Sequence, residues 1–84
     1  MRRKSINSIF NFLERMEYHP ELSDDKTVIW VNFANLTFCI MYIQEEEEFE
    51  LIFDLHSDPL QAIETIKELE RGFGQWEIMS SVYY

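Results

Sequence analysis

Apolar positions at the start of the chain recur with the period of a helix. Ile6, Ile9, Phe10, Leu13 and Met16 fall at the i, i+3, i+4, i+7 spacing that gathers side chains on one helical face. The spacing predicts a helix over Ile6–Tyr18, with Ser5 as N-cap. His19-Pro20 supplies the stop, because a residue before proline is driven out of the helical region. "PELSDDK" then reads as a polar loop, with Asp24 and Asp25 as turn residues. After it the period changes. Thr27–Phe33 ("TVIWVNF") and Leu36–Gln44 ("LTFCIMYIQ") are rich in β-branched and aromatic residues and are joined by a tight turn at Ala34-Asn35. Both are apolar on both pleat faces, the pattern of strands covered on each side or engaged in self-association. A third strand, Glu48–His56, alternates. Phe49, Leu51, Phe53 and Leu55 point one way, while Glu48, Glu50, Ile52 and Asp54 point the other. Its turn with the preceding strand falls in Glu45–Glu47, giving a meander.

The helical period returns in "DPLQAIETIKELERGFG". Asp58 is placed as N-cap, Pro59 at N1, Gln61 at N3 to close a capping box, and Gly72 at C′. Leu60, Ile63, Ile66, Leu69 and Phe73 form the predicted buried stripe. The tail "QWEIMSSVYY" alternates loosely and reads as a fourth strand. The fold class is therefore α+β, in the order α-β-β-β-α-β. Two helices flank a small antiparallel sheet made of a three-strand meander and a C-terminal strand. Residues 1–84 read as a single domain with a flexible basic tail at 1–4.

Composition supports a packed core. Of the 84 residues, 46% are hydrophobic and 15% aromatic, with only two Gly and two Pro, so the chain has apolar surface enough to fold despite its charge. The single Cys39 rules out an internal disulfide and fits a reducing compartment. "MRRKSINSIFNFLERM" begins like a signal peptide, but Asn7, Asn11 and Glu14 interrupt its apolar region. No stretch approaches the roughly 18 apolar residues of a membrane span. The expected location is the cytoplasm, that of a host cell if the chain is phage-encoded.

Charge changes the picture most. Net charge is −9, and three of the seven basic residues are Arg2, Arg3 and Lys4. Ile43–Asp58 alone holds seven carboxylates with no Lys or Arg. Such a surface repels nucleic acid and anionic membrane and attracts basic partners. Glu45, Glu46, Glu47 and Glu48 are in part explained as a solvated hairpin tip that discourages edge pairing. Glu50 and Asp54 share a strand face with Glu48, where same-face neighbours two residues apart stand about 6.6–6.8 Å apart. A rigid row of carboxylates imitates a phosphate backbone and offers a cationic groove the same salt-dependent contacts. Asp58 and Glu64 extend the row toward the second helix, where Glu64–Lys67 is a local i, i+3 pair.

Other chemistries are weaker. Asp54, His56 and Asp58 could approach a divalent ion, but Asp58 is accounted for as a cap and no second ligand set is present, so no metal or other cofactor is expected. Cys39, amid "TFCIMY", reads as a small buried hydrophobe rather than a nucleophile. With two His, no Gly-rich phosphate loop and no Ser-His-Asp pattern, the expectation is a protein that is not an enzyme. Of the aromatics, Phe12 lies off the first helix's stripe, Trp30 and Tyr42 are expected to face away from the main core, and Tyr83 and Tyr84 are the last two residues of the tail strand. Exposed aromatics beside charge serve as interface anchors.

Two partner classes follow. The first is a basic nucleic-acid-binding protein, such as a nuclease, a restriction or CRISPR effector, or a repair enzyme. Its groove would be occupied by Glu45, Glu46, Glu47, Glu48, Glu50 and Asp54, with Asp58 and Glu64 as extension. In size, acidity and compactness the chain is similar in type to phage- or plasmid-encoded DNA-mimic inhibitors. An immunity protein against a basic toxin nuclease would use the same electrostatics. The second class is an apolar segment. The helix–meander–helix order loosely resembles secretion-chaperone-like domains, which implies a homodimer or adaptor working through its doubly apolar strands.

Overall fold

In the computed structural model, which describes residues 4–33 and 35–80 (77–80 in backbone only), seven elements follow one another. They are α1 (Ile6–Arg15), β1 (Glu21–Leu22), β2 (Val28–Phe33), β3 (Leu36–Ile43), β4 (Glu48–Phe53), α2 (Pro59–Phe73) and β5 (Glu77–Ser80). The α+β order predicted from the pattern is present, with one short strand added. The strands form one sheet in the order β1-β2-β3-β4-β5. The meander is antiparallel, with Ile29 opposite Ile40 and Ile40 opposite Leu51. The C-terminal strand instead pairs parallel with β4, Leu51 beside Ile78, because α2 carries the chain back along the sheet before β5 begins. The sheet is thus mixed at that edge.

α1 begins where expected. Ser5 Oγ accepts from the backbone N–H of Ser8, and the Ser8 hydroxyl accepts from the backbone N–H of Ser5 in return, a reciprocal cap. It ends at Arg15, three residues short of Tyr18. The Glu17 N–H donates to the Glu14 carbonyl and the Tyr18 N–H to the Leu13 carbonyl, while Glu17 adopts a φ of 63°. This is a Schellman closure with glutamate in the left-handed position that glycine favours. It turns the chain before His19-Pro20 can act. β1, two residues long and paired through Glu21–Trp30 and Leu22–Ile29, was invisible to a pattern needing four or more residues. The Asp24–Asp25 loop is built by turn chemistry. Asp25 Oδ1 accepts from the Ser23 hydroxyl at 2.7 Å and from the Thr27 hydroxyl and N–H at 2.7 and 3.1 Å.

β4 stops at Phe53 rather than His56. The chain turns at Asp54–Ser57, with the Ser57 N–H donating to the Asp54 carbonyl. Ser57 then closes the sheet end. Its hydroxyl accepts from the Thr37 N–H at 3.0 Å and donates to the Thr37 carbonyl at 2.8 Å. Ala34, the first residue of the expected β2–β3 turn, lies outside the described residues, as do Met1–Arg3, Tyr83 and Tyr84.

Both helices pack on one face of the sheet. Ile9 and Leu13 of α1 and Leu69 and Phe73 of α2 join Ile29, Val31, Leu36, Phe38, Ile40, Phe49, Leu51 and Phe53 in a single buried cluster. In the register these strand residues all share one pleat face. The stripe of α2 differs from the predicted one. Thr65, Leu69 and Phe73 are buried, with Ala62 and Ile66 packed beside them, whereas Leu60 and Ile63 are exposed. The helix is rotated so that Gly72 meets Phe12, whose ring would stand 3.3 Å from a Cβ at that position. Gly72 therefore serves helix packing, and the helix closes at Gly74, with φ 88°. Phe12, expected off the buried stripe, packs edge-on against Phe73 at 5.3 Å between ring centroids.

Candidate functional site

With both helices on one side, no described element covers the other face of the sheet. Side chains alternate along each strand, and the register assembles this face row by row. One row runs Glu21, Trp30, Cys39, Ile52. The next, toward the hairpin tip, runs Val28, Met41, Glu50, and β5 brings Glu77 beside Glu50 in the register. Beyond it lie Ile43 and Glu48. On the opposite flank Asn32 and Thr37 pair through their side chains at 3.2 Å, and Asp54 continues that row through its backbone N–H to the Thr37 carbonyl. The doubly apolar character of β2 and β3 is thus resolved: one face is core, and the other is an uncovered apolar centre.

That centre is exposed to different degrees. Trp30 keeps half its surface in contact with solvent, while Val28, Cys39, Met41, Ile43 and Ile52 are half-buried by their neighbours. A hollow of about 490 Å³ lies over the Trp30–Cys39–Ile52 row, walled by His19, Glu21 and Asp54. Cys39, read from sequence as a buried hydrophobe, lies on this face. Burial among its neighbours raises its thiol pKa, which keeps it protonated at neutral pH. Tyr42, expected to face away from the core, turns toward the helices and lies 4.9 Å from Phe49 between centroids.

The predicted acids divide into two groups. Glu48 and Glu50 share the open face of β4 with Ile52, as the alternation required, and Asp54, one residue past the strand's end, lines the hollow on that face. β4 is an interior strand, since β5 covers its edge. Glu45, Glu46 and Glu47 occupy the exposed turn beyond Ile43, closed by the Glu46 N–H on the Ile43 carbonyl, with Glu47 at φ 55°. Glu64 is not brought to this group, and Asp58 stands with Asp54 at the end of the sheet away from the tip. The Asp58 N–H donates to the Asn35 carbonyl and the Asp54 N–H to the Thr37 carbonyl, roughly 23 Å from the tip for seven steps at ~3.3 Å each. The Asp58 side chain makes no cap hydrogen bond, so the predicted capping box does not form. Glu64 lies on the helical layer, beside Tyr18, Phe33 and Thr65.

No Lys or Arg among the described residues forms an ion pair with the open-face acids. Among the described residues the one ion pair is Arg71–Glu68 at 2.9 Å, on α2. None of strands β1–β4 contains Lys or Arg. Lys4 borders a hollow with Glu47 and Glu48, but it donates to the Gln75 carbonyl and lies 5.0 Å from the Trp76 ring centroid. Lys4 is therefore tied to the body of the domain rather than loose. Its stacking on Trp76, whose buried Nε1 has no hydrogen-bond partner among the described residues, leaves no signal in local pattern. Among the described residues no group of three or more His, Cys, Asp and Glu stands close enough to hold a metal ion, and no helix is long and apolar enough to cross a membrane.

The chain matches no family model, no curated protein and no solved structure. The functional reading accordingly rests on this face.

Proposed function

We propose that the chain is a non-catalytic, acidic protein-binding module that occupies the cationic nucleic-acid groove of a basic protein and thereby inhibits it. The observation that carries this reading is the row Glu48, Glu50 and Asp54 on the uncovered side of β4, continued by the Glu45–Glu47 tip and answered by no Lys or Arg ion pair among the described residues. Strand backbone hydrogen-bonded on both sides holds such a row nearly fixed. A cationic groove therefore meets its counter-charges without first ordering them, which favours association. A nuclease, a restriction or CRISPR effector, or a repair enzyme has the required groove. An immunity protein facing a toxin nuclease would bind by the same contacts.

Immobilised protein exposed to bacterial lysate should retain basic nucleic-acid-binding proteins at low salt. It should release them when salt is raised or when duplex DNA is added. Glu48→Lys with Glu50→Lys should abolish retention. Retention indifferent to salt, DNA and the double substitution would remove the proposal. It would leave the second reading, a chaperone-like or adaptor domain gripping an apolar segment, which the uncovered Trp30–Cys39–Ile52 row favours.

A further inference from the structure

The open sheet face combines two features that pure phosphate imitation does not require together. Its centre is apolar, and acids bracket that centre. Ile52 has Glu50 on one side, about 6.6–6.8 Å away along β4, and Asp54, just past the strand's end, on the other. Across the sheet, the row Trp30–Cys39–Ile52 ends at Glu21 on β1. Trp30, half exposed, floors the hollow over this row. A bound phosphate-binding groove would present cations to Glu50, Asp54 and Glu21, but cations alone would leave the tryptophan, the thiol and Ile52 against water.

We infer that this face docks a cationic polypeptide segment carrying an apolar side chain between its Lys or Arg residues. The apolar group seats on Trp30, Cys39 and Ile52 while the flanking cations meet Glu50, Asp54 and Glu21. This inference rests on the proposed function and specifies how the basic partner is recognised. The charge distribution selects the occupant. A second copy laid face to face would set acids against acids, with no Lys or Arg in β1–β4 to answer them. A segment that is both basic and apolar satisfies rim and floor together, and each contributes what the other lacks: the rim gives charge complementarity, the floor gives buried apolar area.

The probes are two synthetic octapeptides of equal charge, (Lys-Ser-Phe-Ser)2 and (Lys-Ser-Ser-Ser)2; in the first, lysine and ring stand two residues apart and so share one face of an extended chain. Both should bind the full chain more weakly as salt rises. The Phe peptide should bind about tenfold or more tighter, the gain expected from burying one ring. It should also slow alkylation of Cys39 by iodoacetamide, which requires no variant. Trp30→Ala, at a position already half exposed, should bring the Phe peptide down to the affinity of the all-Ser peptide. Salt-sensitive binding of both peptides with equal affinity, or with Cys39 unprotected, would overturn the inference and leave the acidic module intact. Binding of neither peptide would overturn the underlying reading as well. A dimer seen by sedimentation in which Cys39 is protected and which Trp30→Ala dissolves would overturn the choice of occupant.

Discussion

At the scale of single residues, several side chains hold strained or specialised positions that the fold requires. Glu17 occupies the left-handed site of the α1 closure, where a Cβ costs about 1 kcal/mol relative to glycine. Glu17→Gly should therefore raise the free energy of unfolding by up to about 1 kcal/mol in a urea titration; a lower midpoint would show that the Glu17 side chain is needed there. Ser57 makes two hydrogen bonds to the Thr37 backbone at a partly buried strand end. Ser57→Ala should cost about 1–2 kcal/mol, because the Thr37 N–H loses its acceptor. The Ser23 hydroxyl, then the Thr27 hydroxyl and N–H, hold the Asp25 carboxyl below its ordinary pKa. A lowered value means the charged form favours the folded loop. That contribution is present above the ordinary aspartate pKa and is lost as pH falls through the lowered one. The stability difference between the protein and its Asp25→Ala variant should accordingly be present at neutral pH and close in acid. A gap that stayed constant through the acid range would mean the carboxylate charge plays no part.

At the scale of elements, most of the architecture was legible. Strong periodicity gave both helices and the meander, since burial on one face imposes that periodicity directly on the sequence. What the pattern missed was set by contacts between elements. The stripe of α2 was misplaced because Leu60 and Ile63 satisfy helical spacing as well as Ala62 and Thr65 do. The burial of Thr65, Leu69 and Phe73 and the approach of Phe12 to Gly72 define the rotation adopted. Thr65, buried by that rotation, donates to the Gln61 carbonyl and lies 3.2 Å from the Tyr18 hydroxyl. The rotation predicts unequal costs. Leu69→Ala should destabilise by about 2–5 kcal/mol, the range for a fully buried leucine. Leu60→Ser, at a position three-quarters exposed, should change stability by no more than about 0.5 kcal/mol. Equal losses in thermal denaturation would contradict this orientation of the helix. β1 and the parallel pairing of β5 were likewise illegible, the first for shortness and the second because alternation says nothing about strand direction.

At the scale of the whole molecule, the sequence revealed the charge but not which charges act together. Glu48 and Glu50 share a face because strand alternation dictates it, and Asp54 joins that face just past the strand's end. Asp58 and Glu64 follow in sequence, yet Asp58 stands with Asp54 at the end of the sheet opposite the tip and Glu64 lies on the helical layer. The apolar half of the face was written in β2 and β3 as a second apolar pleat. Its role emerged once both helices were placed on the opposite side. Acids held in a row repel one another, and among the described residues no Lys or Arg forms an ion pair with Glu48 or Glu50. Glu48→Lys with Glu50→Lys should therefore leave the thermal midpoint unchanged or slightly raised while removing partner binding. A large drop in midpoint would mean these carboxylates stabilise the fold instead.

Mutual exclusion is the most direct measure of the central claim. A nucleic-acid-binding protein retained by the chain should be titrated with labelled duplex DNA, with and without the chain present. The account predicts that the chain and the duplex displace one another at one site, with both affinities falling steeply as salt rises. A ternary complex in which the protein holds the duplex and the chain at once, each with undiminished affinity, would contradict it.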